Sequence, residues 1–481
     1  MEPISLADLS SIVGASLDPS LPADRLIGPA VVIDSRQAEP GCLFVALPGQ
    51  RVDGHDYVAA AAARGARAAE VTRPTPAAGL AELVLADPLA GLTGLAGVLV
   101  ERARPRLRVI GLTGSSGKTT TKDVLAQLLA LDGPTVAPLE SQNNDIGVPL
   151  TCCRVDRSTR YLVAELGARG PGHIADLCRI VRPEVGLVLN VGPAHLGQFG
   201  GPAQTAQAKG ELIEALPSTG WAVLNADDPQ VVGLARRGQA RLSWFSSRGR
   251  PESGPVRLWA SQIVAGPDQC HRFDLSLDDA ETGRWAGTVQ LRLAGRHQVD
   301  NALAAAGAAW AAGLAQDQIL TGLNQARTVS RWRWETRRRP GGPLVVNDSY
   351  NANPVSMGAA LTTAGGLLEQ RRRERPGTRL CLVLGDMLEL GDDSAAYHRS
   401  VGRQAARTGA SRLLAVGQFA DAILAGAAEL GLIGQAVSDR DQALAALPDL
   451  GPDDILLIKA SRGLGLERLA AAVLGEEGQS C

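Results

Sequence analysis

One stretch restricts the fold more than any other part of the chain. Arg108-Val109-Ile110-Gly111-Leu112 has the length and apolarity of a buried strand, and it runs directly into Thr113-Gly114-Ser115-Ser116-Gly117-Lys118-Thr119-Thr120. Beyond it, Val124, Leu125, Leu128 and Leu129 recur at helical spacing. A strand that turns through glycines into a helix is the repeating unit of a parallel α/β sheet. Glycines let backbone N–H groups converge in the turn, and the helix start adds partial positive charge. A turn of this kind holds phosphate groups. Lys118 is placed to reach the β- and γ-phosphates, and the Thr119 hydroxyl to bind Mg2+. The strict Walker spacing wants glycine where Leu112 stands, so the fit is to a Thr-Gly-x-x-Gly-Lys-Thr variant. A structural glycine turn accounts for Gly114 and Gly117 but not for Lys118-Thr119 at that register. Thr113 through Thr120 are therefore expected to bind a nucleotide.

The rest of the chain fits around that unit. At roughly 100–200 residues per domain, 481 residues suggest about three domains. Residues 1–104 alternate short apolar runs (Val31-Val32-Ile33; Cys42 to Leu47) with Gly and Pro turns, as in a small mixed α/β domain. Residues 105–328 repeat strand, turn and helix, with Tyr161–Ala164 and Val185–Leu189 as further strands, and 240–294 read as a β-rich edge extension. Residues 329–481 begin a second αβ alternation, through Leu344–Val346, Leu380–Leu384, Leu413–Val416 and Ile455–Ile458, expected to be Rossmann-like. The fold class is α/β, with parallel sheets and helices on both faces.

Composition excludes several classes. A hydrophobic fraction of 45% with 20% charged residues suits a soluble protein with real cores, and a net charge of -2 gives no field for nucleic acid or anionic membrane. The start of the chain lacks the basic residues of a secretory signal, and Ala302–Ala315 is too short to span a bilayer, reading instead as a buried helix. Seven cysteines, odd in number and without metal spacing, fit a reduced cytoplasmic protein, with Cys152 and Cys153 as core residues. The Arg371–Arg375 run reads as a solvated helix end. Of 48 basic residues only Lys118, Lys122, Lys209 and Lys459 are lysines. Lysine offers a compact ammonium that arginine does not, so its retention in an arginine-biased chain marks positions where the chemistry requires it.

Further motifs extend the phosphate loop into a family pattern. They are Asn143-Asn144-Asp145-Ile146-Gly147-Val148-Pro149-Leu150, Glu165-Leu166-Gly167-Ala168, Asn190-Val191-Gly192-Pro193-Ala194-His195-Leu196 and Ala208-Lys209-Gly210-Glu211. Later come Gly295 to Ala302, Asn347-Asp348-Ser349-Tyr350-Asn351-Ala352-Asn353-Pro354, Leu384 to Gly391, and Lys459-Ala460-Ser461-Arg462-Gly463. With the variant loop, these resemble the Mur ligase family over essentially the whole chain. The resemblance implies an N-terminal UDP-sugar domain, a central ATPase domain and a C-terminal domain that binds the incoming amine. It implies ligation in two steps, with ATP and Mg2+. A substrate carboxylate takes the γ-phosphoryl group as an acyl phosphate, and an amine then displaces phosphate. Asp348-Ser349-Tyr350-Asn351-Ala352-Asn353-Pro354 and the lack of an Asp-Asn-Pro-Arg sequence point to the branch that adds D-alanyl-D-alanine to UDP-N-acetylmuramoyl-tripeptide. A monomeric cytoplasmic enzyme is expected.

The resemblance also assigns roles. Glu165, at the end of a strand beside the phosphate-loop strand, joins Thr119 around Mg2+. His195 contacts a second metal ion, and Lys209, if carbamoylated, turns from a cation into an anionic ligand for it, the alternative being an unmodified lysine on a substrate phosphate. Asn301 lies near the adenine or the phosphates, on one helix face with His297. Arg333 reaches the γ-phosphate when the domains close, with Arg331 as a competitor, and Trp332 and Trp334 pack the hinge. Asp348 accepts from the ATP ribose. Ser35 and Arg36 contact the uridine diphosphate, and Asn144, Tyr350, Asn351 and Asn353 the substrates, with Arg462 a candidate for the dipeptide carboxylate. The competing readings are the relative that adds diaminopimelate or lysine, a folylpolyglutamate or cyanophycin ligase, and a nucleotide switch without ligation. A switch does not need Lys118, Thr119, Glu165, His195 and Lys209 together.

Overall fold

The apolar runs of the sequence become strands because helices cover both faces of each main sheet. The computed structural model describes residues 1–49, 52–75, 79–192 and 201–476. In the first part, β1 (Ile4–Ser5) and β2 (Leu26–Ile27) form an antiparallel pair. Next, β3 (Val31–Val32), β4 (Leu43–Val45), β5 (Ala68–Val71) and β6 (Ala81–Val84) form an all-parallel sheet in that order.

The central sheet has nine strands: β7 (Arg108–Thr113), β8 (Thr135–Val136), β9 (Tyr161–Glu165), β10 (Val185–Val188), β11 (Trp221–Asn225), β12 (Arg241–Ser246), β13 (Val256–Ala265), β14 (Cys270–Asp279) and β15 (Gly283–Ala294). Their order is β15-β14-β13-β12-β11-β10-β7-β9-β8. Pairing is parallel from β8 to β13 and antiparallel through β14 and β15; the β-rich stretch read from 240–294 holds β12 to β15, of which β14 and β15 form the antiparallel edge. The third sheet holds β16 (Glu335–Arg338), β17 (Leu344–Asn347), β18 (Leu380–Gly385), β19 (Arg412–Val416), β20 (Gly434–Val437) and β21 (Ile455–Lys459). Its order is β16-β17-β21-β18-β19-β20, parallel except for the edge strand β16.

The cores show which parts pack together. On one face of the central sheet, the alanine-rich helix His297–Ala311 buries Ala302 through Ala306 against Val223, Leu258 and Phe245. Small side chains allow that close approach: a Cβ on Gly307 would lie 2.9 Å from Val223. This is the buried segment expected from Ala302 onward, and it ends before Gly313, whose φ of 100° only glycine adopts readily. No helix among the described residues is long and apolar enough to cross a membrane. The opposite face shares one core with the first sheet. Leu43, Ala68 and Leu83 join Leu92 and Leu95 of the Pro88–Ala103 helix, then Val148, Cys152, Cys153 and Ile174. Apolar packing therefore continues across residue 104, and Cys152 and Cys153 are buried core residues with free thiols. The third sheet has its own two cores, one on each face. Arg371, Arg372 and Arg373 lie in the last turn of the Pro354–Glu374 helix, where Arg372 and Arg373 face solvent.

Candidate active site

The carboxyl ends of two parallel sheets meet at one cavity of about 520 Å3. From the central sheet, β7 ends in the phosphate loop, β9 in Glu165, and β10 leads to Asn190. From the third sheet, β17 leads to Asp348 and β21 ends in Lys459. Ligands of open α/β sheets bind at such ends, because loops there are free to carry polar groups.

The phosphate loop has the geometry its sequence requires. Gly117 has a φ of 80°, and a Cβ there would lie 2.4 Å from Asn301 Oδ1, so no other residue fits. The Lys118–Leu129 helix starts at the cavity with N–H groups that have no intrahelical acceptor. Asn190 braces the loop: its Oδ1 accepts from the amides of Ser115 (3.0 Å) and Ser116 (2.9 Å), and its Nδ2 donates to Ser116 O at 3.2 Å. Lys118 Nζ donates to Gly114 O at 2.7 Å. Burial lowers the Lys118 pKa, Glu165 opposes that shift, and Arg333 adds to it. Gly114 to Thr120 line the cavity; Thr113 does not. Thr113 is fully buried and donates its hydroxyl to Leu166 O at 2.8 Å, so it ties two strand ends together beneath the loop.

Glu165 is in the place expected of it, since β9 pairs with β7 and Glu165 stands opposite Leu112. Its carboxylate is shut from solvent. Oε1 accepts from Asn143 Nδ2 (2.8 Å), Ser141 Oγ (2.9 Å) and Thr119 Oγ1 (3.3 Å), while buried Oε2 has no partner among the described residues. A lone carboxylate oxygen beside a threonine hydroxyl and a phosphate loop is the kind of donor set that suits a hard cation. Ser141 is not singled out by the sequence, and Asn143 enters only as the first residue of the Asn143–Leu150 motif, with no role. Their signal was the polar cluster Ser141 to Asp145 after β8, which pattern alone cannot aim.

Lys209 is also buried at the cavity. Burial, and then the neighbouring charge of Lys118, hold its ammonium well below the ordinary lysine range. His195 lies outside the described residues. Asn301 donates to Gln298 Oε1 (2.8 Å) and accepts from Thr121 Oγ1 (3.2 Å). His297 shares its face and lines the same cavity, with its pKa lowered to about 4 chiefly by burial. Asn190, Asp300, Asn301 and Val355 line both this cavity and an adjoining one of about 390 Å3, which Asn225, Asp228 and Arg248 also line.

On the opposite wall, Arg333 lines the cavity with its guanidinium 4.3 Å over the Tyr350 ring, and its buried Nε has no partner among the described residues. Arg331 is exposed and outside the lining. Asp348 pairs with Lys459 Nζ at 2.8 Å and accepts from the Trp334 amide at 3.1 Å. Asn144 Oδ1 accepts from Gly147 N, Asn351 Oδ1 from Ala352 N, and Asn353 Oδ1 from Ser356 N as the cap of the Pro354–Glu374 helix. Asn353 Nδ2 also reaches Ser115 O at 3.4 Å, joining the third sheet's wall to the phosphate loop. Arg462 sits outside the lining, over Trp332 (4.7 Å) and Tyr350 (5.2 Å). Ser35 and Arg36 also lie outside it: Ser35 is buried and Arg36 forks onto Asp34 at the surface.

Family models cover all three parts of the chain. The Mur ligase middle domain matches residues 112–309, the Mur ligase glutamate ligase domain 332–462, and the Mur ligase family catalytic domain 30–86. The chain belongs to the Mur ligase family. It is 39% identical to the UDP-N-acetylmuramoyl-tripeptide--D-alanyl-D-alanine ligase of Mycobacterium leprae (strain TN), over 98% of both chains. Among solved structures it is similar to MurF from Acinetobacter baumannii (TM-score 0.82, 33% identity, 99% of each chain). It is also similar to MurF ligase from Thermotoga maritima in complex with ADP (TM-score 0.73, 26% identity, 93% of this chain and 97% of that one). As a Mur ligase, the chain binds ATP.

Proposed function

We infer that this Mur ligase joins D-alanyl-D-alanine to UDP-N-acetylmuramoyl-tripeptide, as the last cytoplasmic step to the UDP-linked pentapeptide precursor of peptidoglycan. The observation that carries the reading is one cavity between the carboxyl ends of two sheets, with phosphate-binding groups on one wall and Arg333, Tyr350 and Asn351 on the other. Likeness over nearly the full length to ligases named for this reaction supports the choice of substrates. Residues 1–104 then hold the UDP-sugar, 105–328 the ATP, and 329–481 the dipeptide.

The chemistry follows from the walls. The tripeptide's terminal carboxylate attacks the γ-phosphorus, ADP leaves, and an acyl phosphate forms. The dipeptide amine adds to the acyl carbon, loses a proton, and phosphate departs. Lys118 and the amides of the helix start neutralise the transferring group, and Arg333 meets it from the third sheet. Glu165 and Thr119 would hold Mg2+, with His195 and Lys209 serving a second ion; the metal supplies charge neutralisation on the phosphates. Depression of the Lys209 pKa favours the neutral amine, which is the form that takes up CO2 to become a carbamate. Lys209→Ala then loses activity that a short carboxylic acid restores in part; a rate indifferent to bicarbonate and to added acid opposes the carbamate. The adjoining cavity beside Asn301 suits the nucleoside, and Asp348 its ribose.

Mass spectrometry of the product tests the substrate choice. With UDP-tripeptide and ATP, D-alanyl-D-alanine should be incorporated and phosphate release should depend on it. Faster joining of free diaminopimelate or lysine to the UDP-dipeptide would overturn the assignment and leave only the family.

A further inference from the structure

The two walls are connected by residues 326–334, which run from the Gln316–Gln325 helix to β16. The first half of this strap is fastened to the phosphate-loop helix. Gln127 clasps the Arg327 backbone from both sides: its Nε2 donates to Arg327 O at 2.9 Å and its Oε1 accepts from Arg327 N at 3.1 Å. One helical turn nearer the cavity, Asp123 Oδ2 accepts from the Ser330 amide at 2.9 Å. Lys122 closes the group with an ion pair to Asp123 Oδ1 and hydrogen bonds to Pro138 O (3.0 Å) and Ser330 Oγ (3.4 Å), using all three ammonium donors. Lys122, Asp123 and Ser330 are all buried.

Two residues later the strap belongs to the other body. Trp332 O accepts from the Tyr350 amide at 3.1 Å, the Trp332 amide donates to Glu335 Oε2 at 3.3 Å, and the Trp334 amide donates to Asp348 Oδ1 at 3.1 Å. Trp332 and Trp334 are both left-handed (φ 57° and 52°), a conformation that bulky residues adopt only when held from outside. Thr119, Asp123 and Gln127 are spaced i, i+4, i+8, so the helix face that begins at the cavity is the face that grips the strap.

We propose that Lys122, Asp123 and Gln127 are positioning residues for ligation. They make Ser330 part of the phosphate-loop helix's rigid body and confine the pivot between the walls to the backbone from Ser330 to Trp332. Arg333 therefore returns to one place beside Lys118 at each closure. This rests on the reading that Arg333 meets the transferring phosphate. A buried ion pair adds little stability over an apolar pair, but it fixes one register of the parts it joins. Here the parts are a helix that carries Lys118 and a strap that carries Arg333, and displacement of about 1 Å in such an arrangement costs up to about 10²-fold in rate.

The test is a double-mutant cycle in the full-length protein, with hydrogen exchange alongside. Gln127 is only partly buried, so Gln127→Ala leaves the fold intact. It should lower kcat by about 10-fold, with KM for ATP within about twofold, and the loss should vanish in an Arg333→Ala background. In the parent protein the Ser330 and Arg327 amides should exchange as slowly as the helix interior, and faster in Gln127→Ala and Asp123→Asn. Equal losses with and without Arg333, or unchanged kcat, would overturn the proposal. An Arg333→Ala protein as active as the parent removes the arginine's role and with it the positioning claim. Slow Ser330 exchange would then show that the grip on the strap stands and that the assignment of Arg333 was at fault.

Discussion

Glu165 in the central sheet and Glu70 in the first are both strand carboxyls shut from solvent, yet their surroundings differ. Glu165 ends its strand, where the loop after β8 delivers Ser141 and Asn143 to one oxygen and leaves the other without a partner among the described residues. Glu70 sits within β5, opposite Val45 and Leu83, facing the Pro88–Ala103 helix. Neither of its oxygens has a partner among the described residues, and a Cβ on Gly91 would lie 2.6 Å from one of them. Burial raises the Glu70 pKa to about 8. A buried carboxyl is thus kept ready for a cation when donors surround it, and kept as the neutral acid when only apolar groups do. Position along the strand decides between the two, since polar loops reach strand ends and helices cover strand middles.

The largest effect should come from the first site. Glu165→Gln preserves volume but removes the charge, and kcat should fall about 10²-fold with the fold unchanged. A folded Glu165→Gln protein with turnover within threefold of the parent would make the two carboxyls alike and break the comparison.

Glu70 should act on stability instead. The unfolded chain releases this proton near the ordinary value of 4.5, the folded protein near 8. Its contribution is therefore whole below pH 4.5 and drains as pH rises to 8, at about 1.4 kcal/mol per pH unit. Glu70→Gln should flatten the denaturant midpoint between pH 5 and 8 and leave kcat alone. An unchanged slope would show that this carboxyl is ionised in the folded protein.

The smallest effect sharpens the contrast between groups already engaged and groups left open. Asn353 caps its helix, so Asn353→Ala should cost about 1 kcal/mol, while Asn353→Asp should keep the cap and most of the stability. Melting temperature and kcat measured on both variants separate the roles. A stable Asn353→Asp protein that ligates poorly would show that the amide Nδ2, which reaches Ser115 O, serves ligation in addition to the cap.

The phosphate loop, most strand positions and the strand-end placement of Glu165 were legible because each is written locally. Periodicity and glycine placement fix dihedrals within a dozen residues, and a motif carries its own register. Lys118, Lys209 and Lys459 line the cavity, whereas the partners of Lys122 (Asp123, Pro138 and Ser330) could not be read from local pattern. Thr113 belongs to the loop motif but turns under it. Arg331 and Arg333 are indistinguishable in the sequence; only the left-handed turn at Trp332 sends one to the cavity and the other to the surface.

The sequence by itself determined what each short segment becomes: a strand, a phosphate-binding turn, a helix with one buried face. Tertiary structure alone decided which segments meet. Asp123 and Ser330 are 207 residues apart, and Glu165 reaches Thr119 only because β9, not β8, lies beside β7. Sheet order and strap path are settled by the packing of whole faces, an energy summed over many residues, so no single position records them.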